Sequence, residues 1–156
     1  MHLKRFLLVA VFLLHFNVAN AQQFNWAKSF GEISFDESYT LTLNNNCVYI
    51  GGLFNGTVDF DPSPAVYDLS ATGQSSSEAF VLKLDSAGNF LSAFSFGGNG
   101  NEEVRSIKVD DMKNIYVTGT YNDTADFDPG PNVFNLFPSG NESVFIAKYD
   151  SIGALI

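Results

Sequence analysis

Two tetrapeptides carry the most suggestive spacing in the chain, Asp59-Phe60-Asp61-Pro62 and Asp126-Phe127-Asp128-Pro129. Each sets two carboxylates at i and i+2 in a loop stiffened by proline. Hard oxygens fixed in this way begin a Ca²⁺ site, since that ion gathers several oxygen ligands at about 2.3–2.6 Å. Asp59, Asp61, Asp126 and Asp128 are therefore the candidate metal ligands, and Ca²⁺ is the one cofactor the sequence suggests. An EF-hand-like loop would add a third oxygen and a later glutamate, and neither stands at the required spacing. The competing reading is a tight turn in which the aspartates cap backbone N–H groups while Phe60 and Phe127 plug the core.

A second set of carboxylates, Asp36-Glu37 and Glu102-Glu103, opens two corresponding strands. If the loops entering those strands share an end of the fold with the Asp-x-Asp loops, all eight carboxylates line one acidic face. This makes Asp36, Glu37, Glu102 and Glu103 the candidate binding residues. Ser75-Ser76-Ser77 lacks an activating base. A two-carboxylate glycosidase needs one dedicated acid pair, whereas carboxylates that recur with a repeat point first to repeated structure. The chain reads as a non-enzyme.

The remaining inventory narrows the chemistry further. His2, Lys4 and Arg5 precede an apolar run from Phe6 to Phe16, and Ala19-Asn20-Ala21 has the small-x-small form of a cleavage site. The run is too short for the roughly twenty residues of a spanning helix. Cleavage after Ala21 removes both histidines, and with them the commonest general base and metal ligand. The single cysteine, Cys47, cannot form an internal disulfide or a multi-cysteine zinc site, and it reads as a buried, inert thiol. Loss of Lys4 and Arg5 takes the formal charge from −9 to −11. So acidic a chain repels phosphate backbones and anionic lipid, which excludes nucleic acid and, after leader cleavage, membrane insertion.

Behind these residues lies an internal repeat. Ala27–Gly31 recurs as Ala93–Gly97, Val48–Gly52 as Ile115–Gly119, Asn55–Pro64 as Asn122–Pro131, and Phe80–Ser86 as Phe145–Ser151. Four blocks in one order at one period mark tandem copies of a single unit. Within each copy the hydrophobic period is two. Tyr39, Leu41 and Leu43 alternate with threonines, Phe80, Leu82 and Leu84 share a face, and so do Phe145, Ala147 and Tyr149. Asn44-Asn45-Asn46, Asp85–Asn89, Gly97–Gly100 and Asp150–Gly153 carry turn chemistry. Strands are expected over Ser38–Leu43, Cys47–Phe54, Ala79–Asp85 and Phe90–Phe96, and again over Val104–Val109, Asn114–Tyr121 and Val144–Asp150. Shorter candidates are Val66–Leu69 and Val133–Leu136. Four antiparallel strands per repeating sheet is the plan of a β-propeller blade.

At Phe96–Glu103, Ser106–Asp110 and Asn114–Gly119 the chain resembles the SBBP-type β-propeller repeats of exported bacterial proteins, and Asp126–Pro131 looks like the long-insert version of that repeat. The resemblance implies a scaffold or binding surface and no reaction. The first copy departs from the pattern at Glu32-Ile33, where glycine is expected, and at its shorter Asn44–Asn46 turn.

The chain is thus expected to be all-β, with two tandem antiparallel four-stranded blades of a truncated β-propeller. Its expected parts are a signal peptide over 1–21, an N-terminal strand and loop over 22–37 that could close a ring as an outer strand, blade 1 over 38–97, and an incomplete blade 2 over 98–156. A protein or glycan at the cell exterior is the expected partner, with self-association through open blade edges as a further expectation. The expected location is secreted or on the surface of a Gram-negative bacterium, with the periplasm as alternative. The competing functions are a non-catalytic part of a larger secreted hydrolase and a calcium-stabilised surface repeat protein.

Overall fold

The computed structural model describes residues 25–73 and 76–156, so the expected leader lies outside the described residues. Eleven strands follow in order: β1 (Glu37–Asn44), β2 (Cys47–Phe54), β3 (Thr57–Asp59), β4 (Asp68–Ser70), β5 (Glu78–Asp85), β6 (Phe90–Gly98), β7 (Glu102–Val109), β8 (Ile115–Tyr121), β9 (Ala125–Asp126), β10 (Asn135–Leu136) and β11 (Ser143–Tyr149). No helix occurs among the described residues.

Blade 1 is the antiparallel meander β1-β2-β5-β6, and blade 2 repeats it as β7-β8-β11. The start of a fourth strand in blade 2 pairs Leu155 with Tyr149. Turn chemistry closes these hairpins. Asn45 and Asn46 both take positive φ, 46° and 61°, which is what a two-residue loop matching strand twist demands. In blade 2 the longer loop is held by Asp110, whose Oδ1 accepts the Asn114 N–H at 2.8 Å. The insert of each repeat is a small hairpin, β3-β4 standing by itself and β9-β10 extending the sheet of blade 1, where Asp126 and Ala125 pair with Gly97 and Gly98 of β6. The sequence marked only the second strand of each, and the two central strands of each blade run antiparallel regardless.

The blades stack through one sheet face each. Ala79, Val81, Tyr49 and Phe96 of blade 1 share a buried cluster with Val104, Ile107, Val117, Phe145 and Tyr149 of blade 2. Gly51 makes the approach possible, because a Cβ there would sit 2.7 Å from both Val104 Cγ1 and Ile107 Cδ1. Four aromatic rings recur at equivalent places. Phe96, Tyr121, Phe127 and Phe145 pack at centroid separations of 4.9–6.4 Å, and Phe30, Phe54, Phe60 and Phe80 repeat the arrangement at 4.9–6.4 Å.

Two expectations are corrected. Tyr39, Leu41 and Leu43 alternate as a half-buried strand should, yet Leu41 and Leu43 are 60% and 71% exposed. They face away from blade 2, on the side where Ile107 and Val109 of the second repeat have blade 1 to pack against. The strand expected within 22–37 does not form over the described residues 25–36. They are anchored instead by Phe30 on Phe60 and Phe80, and by the Trp26 indole N–H donating to the Ser86 carbonyl at 3.0 Å.

Candidate binding site

Where β1 and β2 of blade 1 meet β7 and β8 of blade 2, a cleft of about 500 Å³ opens along the seam. Asn55, Ser77, Asn101, Thr120 and Asn122 line it with amides and hydroxyls, Glu103, Arg105 and Glu142 with charge, and Phe35 and Leu53 with apolar surface. The amides are oriented by the backbone. Asn101 Oδ1 accepts the Ser77 N–H at 3.0 Å, Asn122 Oδ1 accepts the Asn101 N–H at 2.7 Å, and Asn55 Nδ2 donates to the Ser76 carbonyl at 2.7 Å. Asn55 and Asn122 are the same repeat position, so each blade contributes one amide to this cleft.

A charged relay crosses between the inner strands. The Arg105 guanidinium lies 4.1 Å from the Tyr39 ring centroid, and its Nε donates to Glu103 Oε1 at 2.6 Å. Thr120 Oγ1 donates to the same carboxylate oxygen at 2.9 Å. The Glu37 carboxylate, as hydrogen-bond partner, pushes the Tyr39 hydroxyl up to about 12, helped by burial. Glu37 and Glu103 are therefore brought to one place, on either side of the Tyr39–Arg105 stack.

Asp36 and Glu102 do something else, and the single acidic face does not form. Asp36 Oδ2 accepts the Glu32 N–H at 2.8 Å, and Glu102 Oε2 accepts the Gly98 N–H at 2.9 Å, the same i to i+4 closure in each repeat. Glu102 is fully buried, and its Oε1 has no partner among the described residues. Burial, with the charges of Glu78 and Asp123 added and the Gly98 N–H opposing, raises its pKa to about 7. The unfolded chain releases that proton near 4.5, so between these values it holds fewer protons than the folded chain. Stability is then expected to fall as pH rises from about 4.5 to 7, by on the order of 3 kcal/mol, and to stay at the lower value above. Urea unfolding of Glu102→Gln across that range should lack the fall. An unchanged slope would place the titration elsewhere.

The Asp-x-Asp loops lie apart from the cleft, and Asp128 lines a different cavity beside Tyr116 and Lys148. Asp59 Oδ1 accepts the N–H groups of Asp61 and Tyr67 at 3.0 and 2.8 Å, and Asp126 Oδ1 accepts those of Asp128 and Phe134 at the same distances. Asp61 and Asp128 each cap one further N–H, of Ser63 and Gly130. This is the capping turn, with Phe60 and Phe127 buried behind it. Among the described residues no three His, Cys, Asp or Glu side chains gather as metal ligands. Because Oδ1 of Asp59 and of Asp126 each already accepts two backbone N–H groups, millimolar Ca²⁺ is expected to leave the Tm unmoved, whereas a ligand of the folded state would raise it. A rise lost in Asp126→Asn/Asp128→Asn would restore the calcium reading.

The seam amides were missed in the sequence because asparagine after a strand reads as turn punctuation. Their recurrence at Asn55 and Asn122 was the available signal. Cys47, a free thiol, is half-buried beside the shared core of the two blades.

The chain is 27% identical over 113 residues to an uncharacterized WD repeat-containing protein of Acanthamoeba polyphaga mimivirus. The match covers 64% of this chain and 8% of that protein, so the chain spans less than a tenth of its relative's length. No family model matches the chain, and no solved structure does. Similarity to a WD repeat-containing protein accords with the tandem blades, and the chain is a repeat protein of β-propeller type.

Proposed function

We propose that the chain is a non-catalytic interaction module of the cell exterior, whose protein or glycan partner docks at the seam cleft between the blades. The observation that carries this reading is the cleft's composition. It offers neutral donors and acceptors from both blades, the Arg105–Glu103 pair, the Glu142 carboxylate and the apolar side chains of Phe35 and Leu53, which suits recognition of peptide or sugar hydrogen-bonding groups beside an apolar patch. The resemblance to SBBP-type repeats supports a scaffold role, and the basic start, apolar run and Ala19-Asn20-Ala21 support export.

The test pairs binding with turnover. The mature chain is screened against glycan and protein arrays, and its hits are re-measured with Arg105→Ala and Asn122→Ala. Loss of affinity by tenfold or more in both, with ester, peptide and glycoside hydrolysis at buffer rates, is the expected result. Turnover abolished by Glu103→Gln would overturn the reading. For export, N-terminal sequencing of the released chain should begin at Gln22, and an intact Met1 in that pool would refute cleavage.

A further inference from the structure

Just ahead of β5, Ser76 is 7% exposed, and its Oγ has no hydrogen-bond partner among the described residues. A buried hydroxyl left unmet costs free energy, and such an orphan marks a place for an outside partner. Ser76 borders a recess of about 380 Å³ formed by the loops that lead into β5, β7 and β9. Asn101 and Asn122 belong both to this recess and to the seam cleft, so the two spaces adjoin along that pair. Glycines keep the recess open. A Cβ at Gly73 would collide with Ser76 Oγ and lie 3.5 Å from the Asn99 carbonyl oxygen. One at Gly100 would stand 2.5 Å from Asn122 Oδ1 and 2.8 Å from Asp123 Cβ.

The wall of the recess is rich in acceptors. Asn122 Oδ1 is taken by the Asn101 N–H, and Asp123 Oδ1 by the Thr124 N–H. The Ser76 hydroxyl, the Asn99 carbonyl and the second Asp123 carboxylate oxygen remain to receive donors from a ligand. Asp123 is the charged residue among those that line the recess. Glu78 and Glu102 lie buried close by, and the Asp123 charge reaches Glu102. Such a site takes a compact cation. Ca²⁺ fits poorly, because it gathers several oxygens and Asp123 brings the one carboxylate. A primary ammonium fits well, since it carries three N–H donors around a point charge on a slim, flexible stem. The chain as a whole, with 17 acidic residues against 8 basic ones, draws a basic partner toward it.

We infer that the partner at the seam is a basic protein segment that places a lysine ammonium in this recess, against Ser76 Oγ, the Asn99 carbonyl and Asp123. Asn101 and Asn122 commit their Oδ1 atoms to the backbone, which leaves their Nδ2 groups to donate to the segment's carbonyls. Phe35, across the cleft, takes an apolar neighbour of the lysine. This inference rests on the seam-cleft reading and narrows its partner from protein or glycan to protein.

The test uses the mature chain and two capped pentapeptide libraries, one with lysine fixed at the centre and one with Nε-acetyl-lysine. Capping leaves lysine as the ammonium of the first library, and acetylation removes its charge and two of its donors. By fluorescence anisotropy the lysine library should bind at least tenfold tighter. Ser76→Ala and Asp123→Asn should each remove that preference while leaving the affinity for acetyl-lysine peptides unchanged. Ser76 Oγ holds no partner and Asp123 is exposed, so both variants should fold, with the wild-type Tm as the check. Equal affinity for the two libraries would overturn the inference, and so would a lysine preference that survives both substitutions. If peptides bind without that preference and weaken in Arg105→Ala, the lysine recess falls and the seam-cleft reading stands. Binding of neither library at millimolar concentration would also overturn the inference, leaving the seam-cleft reading to its glycan arm.

Discussion

Phe96→Ala is expected to destabilise the chain by about 3–5 kcal/mol, the range for deleting a buried phenyl group from a core that cannot collapse around the loss. The ring is 2% exposed. It belongs by chain order to the last strand of blade 1, yet it packs on Phe127, Phe145 and Tyr149 of blade 2 at 5.2–5.5 Å. Removing it takes apolar area, an edge-to-face contact with Phe145 and a stacked contact with Tyr149 from the seam at once. Phe137→Ala, at a site 71% exposed, should stay within about 0.5 kcal/mol. Urea unfolding at one fixed protein concentration decides the matter, since association would otherwise shift the midpoint. A cost near that of the exposed control would mean that the two blades do not share a core.

Gly119→Ala should be comparably damaging, at about 3 kcal/mol, for a different reason. The pairing of β7 with β8 slips between Val104 and Ser106, and this bulge brings the Glu103 carbonyl against the Gly119 Cα, leaving no room for a methyl group. The obstacle is backbone, so relief means undoing the bulge. Gly52 repeats the situation against the Glu37 carbonyl at the bulge between Ser38 and Thr40, and Gly52→Ala should cost a similar amount. Gly140→Ala meets nothing within 4 Å and is the neutral control. Thermal melts in which both seam-end glycines behave like Gly140 would contradict the bulge geometry.

Much of this architecture was legible because the repeat states it twice. Cys47–Phe54 is expected and found at the same residues, and the other long strands differ from expectation by one or two residues at an end. The three-residue strand Thr57–Asp59 was not legible, since Val58 between Gly56 and Asp59 offers no run in which alternation shows. The exposure of Leu41 and Leu43 was not legible either. Alternation identifies the apolar face of a strand but not whether another sheet covers it. The acidic face failed for a related reason, because sequence places Glu102 at a strand opening but cannot show that its carboxyl turns inward to the Gly98 N–H. The seam cleft depends on how two blades are juxtaposed, and only the asparagines repeated at its rim hinted at it.

The central claim is that the two repeats stack face to face, with β7 of blade 2 lying over Gly51 of blade 1. An engineered disulfide tests it most directly. A Cβ at Gly51 lies 2.7 Å from Val104 Cγ1, one bond from the Val104 Cβ, so Gly51→Cys and Val104→Cys place their Cβ atoms no more than about 4 Å apart, within reach of a disulfide, and Ile107→Ala in the same chain removes the Cδ1 and Cγ1 that the new Cβ would otherwise meet. In a Cys47→Ser background, mild oxidation of this double variant should remove two hydrogens by intact mass within one chain and raise the Tm. The pair Gly140→Cys and Val104→Cys should stay reduced within the chain. A seam pair that stays reduced, or links only between chains, would contradict the stacked-blade fold.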